Sequence, residues 1–593
     1  MKKRSQINEK YKWNLSDIYS SIDDLKRDIE VLKGYPEKLA SFKGKLGKKD
    51  KCLEYFKLNT EVSMLSERVG VYVGLKLAEN LENTTFIEIQ SVLGNIERNL
   101  SVATAFEESE LISYGVKYLE KLLADDRFKE YALAIKDFIR NSEHILPEEQ
   151  EKLIGKVSKA LGGYSDVFDN IDTLDLKFKP ALDSKGKEHE VNDHNYSMLL
   201  ESKDRVLRKN ALESFTAGYH SLCNTIATNY IGSLEGDWFI ADAYKHKSTL
   251  DMAMFGENLP KEIYTTLLSS VKSTVKLVHK FYALKKKALG YKDFYFYDRL
   301  VPITNFSSKK SYEENFEIVI KAMSVLGDEY VEGLKTARDN RWIDVYPCVG
   351  KEGGGFCCSM YTPHPYILLN TVDDSSSIST LAHELGHAMH GYLSAKNQPF
   401  ENYDHTIFLA EIASTVNEVL LFKYLYRNAT TKKEKISRLE KYIGNIIATI
   451  YTQTMYSEFE YFAHSLVEKG EPISKDILCA KYKSLVKEYY GSGVKLISTD
   501  VGEGFMRVPH FYRAYYVYKY ATGMTSAINF ASKIDAGDEV AKNKYLEYLK
   551  SGTKDYSINI LKNAGVDLLS KEPYEVVEKE LKWALSELES LLK

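Results

Sequence analysis

Through the first 170 residues, apolar side chains recur three and four positions apart, a spacing that predicts one amphipathic helix after another. The segment SSIDDLKRDIEVLKGY opens with Ser21 placed to cap a helix and Asp24 three residues on. PEEQEKLIGKVSKALGGYSDVFDNI starts at Pro147, suited to a first helical turn, and reaches Gly162 and Gly163. The rhythm then changes. In TLDLKFKPALDSKGKEHEV, Leu174, Leu176 and Phe178 alternate, DSKG turns, and the run resumes toward Val191. This predicts a β-hairpin with Gly186 at positive φ. The hairpin marks a seam between an N-terminal helical domain, 1–195, and the remainder, 196–593. Helices resume near Ser202 and again after Pro260. Residues 348–371, CVGKEGGGFCCSMYTPHPYILLNT, form a second extended region, with Gly353, Gly354 and Gly355 free to approach another backbone closely. Its HPYILLN run is either a core strand or an edge strand able to pair with a peptide. After Ser375 the pattern is helical to the end. The fold class is mainly α, with short β-segments.

Composition narrows the function classes. The chain has 593 residues, 44% hydrophobic and 28% charged, with a net charge of −4, as an ordinary soluble protein would. No basic block points to nucleic acid. The six cysteines show no CxxC spacing, which suits a reducing compartment. The basic N-terminus lacks the apolar run of a signal peptide, and no stretch of eighteen apolar residues predicts a membrane span. A cytoplasmic protein is expected, either monomer or homo-oligomer.

The chemistry concentrates in AHELGHAMH. Three of the chain's 13 histidines and one glutamate fall within His383 to His390. On a helix, His383 and His387 lie about 40° apart on one face and reach one point. Zinc suits two neutral imidazoles with a position left open for chemistry. Glu384, about 100° around the axis, is displaced from that point but near enough to take a proton from water. The spacing is H-E-x-x-H, a metallohydrolase signature. A metzincin extension would need Gly at position 390 and His at 393, where this chain has His390 and Leu393. His390 is two turns from His383, too far along for a third ligand.

A better third ligand lies on the next predicted helix, TIFLAEIASTVNEVLLFKYLY. Glu411, Ser414, Thr415 and Glu418 share one face within very apolar surroundings. Buried carboxylates are costly unless paired or metal-bound. Glu411 is then the third ligand and Glu418 steadies a ligand histidine, or the two roles are exchanged.

HELGHAMH followed by EIASTVNE, together with RVPHFYRAYYVYKYATG (507–523) and the N-terminal YKWNLSDIY, resembles the oligoendopeptidase F group of the thimet-oligopeptidase-like zinc metallopeptidases. The resemblance touches both ends and the centre of the chain. It implies a large multi-helical ellipsoid with a deep central channel, one zinc per chain, and endopeptidase action on short peptides, with 196–593 as the catalytic domain. It also implies zinc ligands at His383, His387 and Glu411 and a general base at Glu384. His510, Tyr515 and Tyr518 would bind substrate and stabilise the oxyanion, with Tyr512 an alternative to Tyr515. Neutral phenols and imidazoles are suitable donors to such a charge. Arg507 is placed to meet a substrate carboxylate or to form a structural ion pair, and Gly354 and Gly355 to lie along a bound peptide. Two rival functions share these features: a metallocarboxypeptidase of similar build, and a non-catalytic peptide-binding protein with a vestigial zinc site. The intact Glu384 speaks against the second, because structural zinc needs no base and is closed by four protein ligands.

Overall fold

The computed structural model describes residues 1–372, 377–496 and 499–593. Helices dominate, and among the described residues five short strands form two small sheets. The fold class is mainly α, as the periodicity predicts. No helix among them is long and apolar enough to cross a membrane.

Local signals explain many helix ends. Ser21 Oγ accepts the Asp24 N–H at 3.2 Å and starts the helix Ile22–Lys33. Pro147 occupies the cap just before Glu148–Leu161, and Gly162 ends that helix. The hairpin is shorter than predicted and begins later. β1 (Ala181–Leu182) pairs antiparallel with β2 (Glu188–His189), and Gly186 turns between them at φ +78°. Leu174, Leu176 and Phe178 precede it, outside any strand. Leu174 lies instead in the helical turn Ile171–Asp175. Leu174 is exposed, Leu176 is buried, and the Phe178 ring stacks on Phe215 at 5.1 Å.

Packing groups the chain into two compact units, each assembled from three stretches. The first holds 1–145, 307–423 and 530–565; the second holds 146–306, 424–529 and 566–593.

In the first unit a contiguous apolar core runs from Trp13 and Leu25 through Tyr55, Val69 and Leu119 to Met360, Tyr366 and Leu368. Against it lies a three-stranded sheet. β5 (Tyr366–Leu368) is central, parallel to β3 (Ile343–Asp344) and antiparallel to β4 (Phe356–Cys358). HPYILLN is therefore the buried core strand, and β4 holds an edge. The N-terminal YKWN motif braces this sheet: Tyr11 O accepts the Val345 N–H at 2.9 Å, and Trp13 Nε1 donates to Glu79 at 2.8 Å. The buried Lys351 ammonium closes one end, donating to the carbonyls of Tyr346 and Leu369 and pairing with Asp344 at 2.7 Å. These bonds offset the cost of burying its charge.

The second unit is a stack of helices that includes Arg205–Ser221, Cys223–Ala243, Gln453–Glu468 and Lys475–Tyr490. Its interior contains a fully buried ion pair, Arg208 to Asp298 at 2.7 Å, which Arg205 shares at 2.8 Å. Removing one partner of such a pair would leave an uncompensated buried charge, a loss of about 3–5 kcal/mol.

Candidate functional site

Two helices of the first unit carry the histidine and carboxylate motifs. The first, Ser377–Asn397, holds HELGH; Ser375, after which helix was expected, lies outside the described residues. The second is Ile407–Arg427. They cross at Gly386, which lies under the backbone of Ala413 and Ser414. Asn417 fastens the crossing: its Nδ2 donates to Ala382 O at 3.0 Å, and its Oδ1 accepts the Tyr330 hydroxyl at 2.8 Å. All the polar groups of this small buried network are matched, which makes it a rigid strut.

The crossing brings three donor atoms together. His383 Nε2 and His387 Nε2 are 3.2 Å apart, and Glu411 Oε2 is 3.4 Å from the first and 3.6 Å from the second. Ligands bound to zinc at about 2.0–2.1 Å in a tetrahedral shell stand about 3.3–3.4 Å from one another. The triangle therefore fits such an ion. Glu418 Oε1 lies 2.6 Å from His383 Nδ1. Holding the proton on Nδ1 leaves the Nε2 lone pair facing the triangle, as a ligand histidine requires. Burial pulls the His383 imidazole down, but the carboxylates of Glu418, Glu384 and Glu411, Glu418 foremost, together make the net shift upward. The approach of His387 holds the Glu411 carboxyl down at about 2, against its burial. It is thus ionised, the state a metal ligand needs.

Glu384, one residue on, is buried at 6% exposure, and this burial pushes its carboxyl up. Gly355 lies beside it: a Cβ there would come 3.7 Å from Glu384 Oε1 and 3.4 Å from Leu368 O. Gly354 has φ +78°, so the backbone enters β4 through a turn that suits glycine. The half-buried Cys357 thiol, pushed up by desolvation and by the nearby Glu384 charge, adds to the low-polarity surroundings. His390 does not join the triangle; its ring stacks on His405 at 4.1 Å.

The remaining predicted residues belong to the second unit. His510 sits in the short turn Pro509–Tyr512, with the Tyr520 hydroxyl 3.3 Å from its Nε2 and the Tyr516 ring stacked at 5.6 Å. Burial pulls its pKa down, and Arg513 adds to this. Tyr515 and Tyr518 are both buried rather than paired with His510. The Tyr515 hydroxyl meets Thr249 Oγ1 at 3.0 Å, and its N–H donates to Glu460 at 2.7 Å. The Tyr518 ring packs edge-on to Tyr264 at 5.4 Å. Tyr512 stacks on Phe168 at 4.8 Å and meets Asn229 at 3.2 Å. Arg507 lies over Tyr196 and Phe215, each at 5.9 Å, with no carboxylate pair among the described residues.

Sequence reasoning did not single out Asn417, although a lone amide in so apolar a helix was a signal of a buried partner. Nor did it separate Tyr516 and Tyr520, the phenols beside His510, from their neighbours.

Comparison with known proteins gives these features a class. The chain matches Peptidase family M3 over residues 198–577 and Oligopeptidase F over 110–178. It is 33% identical to Oligopeptidase PepF of Bacillus subtilis (strain 168), over 99% of this chain and 88% of that protein. It is also 33% identical to an oligoendopeptidase F homolog of Borreliella burgdorferi, over 99% of both. Among solved structures, a putative peptidase from Chlamydophila abortus superposes with a TM-score of 0.94 at 30% identity, covering all of both chains. Oligoendopeptidase-F from Enterococcus faecium follows at 0.73 and 26%, over 96% of this chain and 99% of that one. This mainly helical chain is therefore a peptidase. More particularly, it belongs to peptidase family M3.

Proposed function

We propose that the chain is a zinc-dependent endopeptidase that hydrolyses internal bonds of short oligopeptides. The observation that carries this reading is the convergence of His383, His387 and Glu411 with Glu384 buried one residue away. His383, His387 and Glu411 hold one zinc, and Glu418 orients His383. Bound there, zinc supplies a Lewis acid that polarises the scissile carbonyl and acidifies water. Glu384 takes the proton of the attacking water on a carboxylate oxygen and delivers it to the leaving amine. Its buried setting, which raises the carboxyl pKa, suits a base that must later act as an acid.

The extended substrate backbone pairs along the edge strand β4, which Gly354 and Gly355 introduce. The resemblance assigns oxyanion stabilisation to His510 with Tyr518 or Tyr515, and substrate contacts to Tyr512 and Arg507. The two family matches, ending at 178 and beginning at 198, support a division near residue 195 between an N-terminal helical domain and a catalytic domain. Six free cysteines suit a cytoplasmic location.

The test joins metal content with hydrolysis of an internally quenched peptide of about eight residues blocked at both ends. The expected result is zinc-dependent, chelator-sensitive internal cleavage that Glu384→Gln reduces at least a hundredfold in kcat while zinc is retained. Cleavage confined to peptides with a free C-terminus would make the chain a carboxypeptidase. Zinc binding with no cleavage would make it a peptide-binding protein.

A further inference from the structure

A second group of ligating side chains lies in the second unit. His220 ends the helix Arg205–Ser221, Cys223 opens the helix Cys223–Ala243, and Glu503 projects from the segment Thr499–Arg507. Their ligating atoms all lie within 4.8 Å of one another. His220 Nδ1 is 2.9 Å and 3.0 Å from the two Glu503 oxygens. By itself that would be an ordinary surface ion pair, contributing little. The sulfur makes the difference. Cys223 is buried, whereas the His220 ring is open to solvent, so the cluster has both a soft donor and a route of entry.

From this juxtaposition of Cys223, His220 and Glu503 we infer a second, thiolate-containing site for a zinc-type divalent cation. A thiolate, a carboxylate and a neutral imidazole together carry two negative charges, which match a divalent ion. One sulfur with one imidazole selects zinc or cobalt over magnesium or calcium. Three protein ligands leave the fourth position to water.

Lys475 is the competing cation. Its Nζ lies 3.5 Å from Cys223 Sγ. It is a half-buried side chain on a long four-carbon stem, and an arriving cation must displace its ammonium from the sulfur. Binding breaks the Cys223 S–H bond, forms the sulfur–metal bond and releases one proton to solvent. The ion would fasten the 499–507 segment, whose chain runs on to His510, to the junction of two long helices. The segment is already close to the helix Lys475–Tyr490: a Cβ on Gly502 would meet Cys479 O at 2.7 Å.

Titration of the metal-free chain with cobalt(II) tests the site separately from the catalytic reading, because His383, His387 and Glu411 include no sulfur. Two equivalents should bind, one of them with a sulfur-to-cobalt charge-transfer band in the near ultraviolet. Cys223→Ser should abolish the band and one equivalent. His220→Ala, at an exposed position where folding is safe, should weaken that equivalent at least tenfold. Glu411→Ala should keep the band. Absence of the band from the wild-type chain, its persistence in Cys223→Ser, or no weakening in His220→Ala overturns the inference.

Discussion

Gly386 and Ser414 touch backbone to backbone: a Cβ on Gly386 would sit 2.5 Å from Ser414 Cα, closer than real carbon atoms approach. The relief that glycine provides here acts at a distance, because the same crossing sets where Glu411 stands relative to His383 and His387. In Gly386→Ala the helices must separate by several tenths of an ångström or more. We expect a destabilisation of about 1–3 kcal/mol. Zinc affinity should fall more than tenfold, since one ligand retreats from the other two. Thermal unfolding and a chelator competition check both. A variant that folds stably and binds zinc as tightly as wild type would show that the crossing does not position Glu411.

Glu418 is separable from the ligands it supports. It lies 2.6 Å from His383 Nδ1, on the side of the ring away from the triangle. Glu418→Ala frees the ring to rotate and to carry its proton on either nitrogen. Zinc affinity is expected to drop about 10–100-fold, with activity restored in large part at saturating zinc. Loss of activity that added zinc cannot restore would instead place Glu418 among the ligands.

Legibility in the sequence followed how local each relationship is. His383 and His387 converge because of the geometry of one helix, so their spacing was enough. The approach of Glu411 depends on a crossing, and the only local traces of it were Gly386 and a polar stripe in an apolar helix. The predicted hairpin starts too early because the Leu174–Phe178 alternation, a strand signal by pattern, falls on a helical turn and irregular chain, where Leu174 is exposed and Phe178 stacks on Phe215. The tyrosines of 507–520 resisted face-by-face reasoning for a simpler reason. That stretch is not one helix: a short turn at Pro509–Tyr512 is followed by Tyr515 at φ +55°, and regular helix starts only at Tyr518.

The phenols can be sorted by kinetics. If Tyr518 donates to the oxyanion, Tyr518→Phe should lower kcat by about 10²–10³ while KM changes little. Tyr520→Phe removes the hydroxyl 3.3 Å from His510 Nε2 and should cost less. Tyr515→Phe breaks the bond to Thr249 and should appear mainly as about 1 kcal/mol of lost stability. A larger kcat loss in Tyr520→Phe than in Tyr518→Phe would transfer the role to Tyr520.

Glu460 gives a pH dependence independent of any metal. It is fully buried, its Oε1 accepts the Tyr515 N–H, and its Oε2 has no hydrogen-bond partner among the described residues. Burial pushes its carboxyl up to about 8, more than the attraction of His464 can offset. Between the ordinary carboxylate range and about pH 8, the folded chain therefore keeps a proton that the unfolded chain has lost. Stability must fall as pH rises through that window. His464 is pulled down by burial but raised overall by Asp237 at 3.1 Å; it loses its contribution in the same direction as pH rises through its folded pKa. In Glu460→Gln the amide oxygen can still accept the Tyr515 N–H, but the NH₂ group has no partner where Oε2 stood. Near pH 5, where the wild-type carboxyl is protonated and equally unpartnered at that atom, the variant should lie within about 1 kcal/mol of wild type. Its stability should then decline less steeply toward pH 8, because one of the two titrations is gone. Denaturant midpoints at three pH values across the window measure the slopes. Parallel slopes would mean that Glu460 is ionised throughout and that its charge is stabilised within the core.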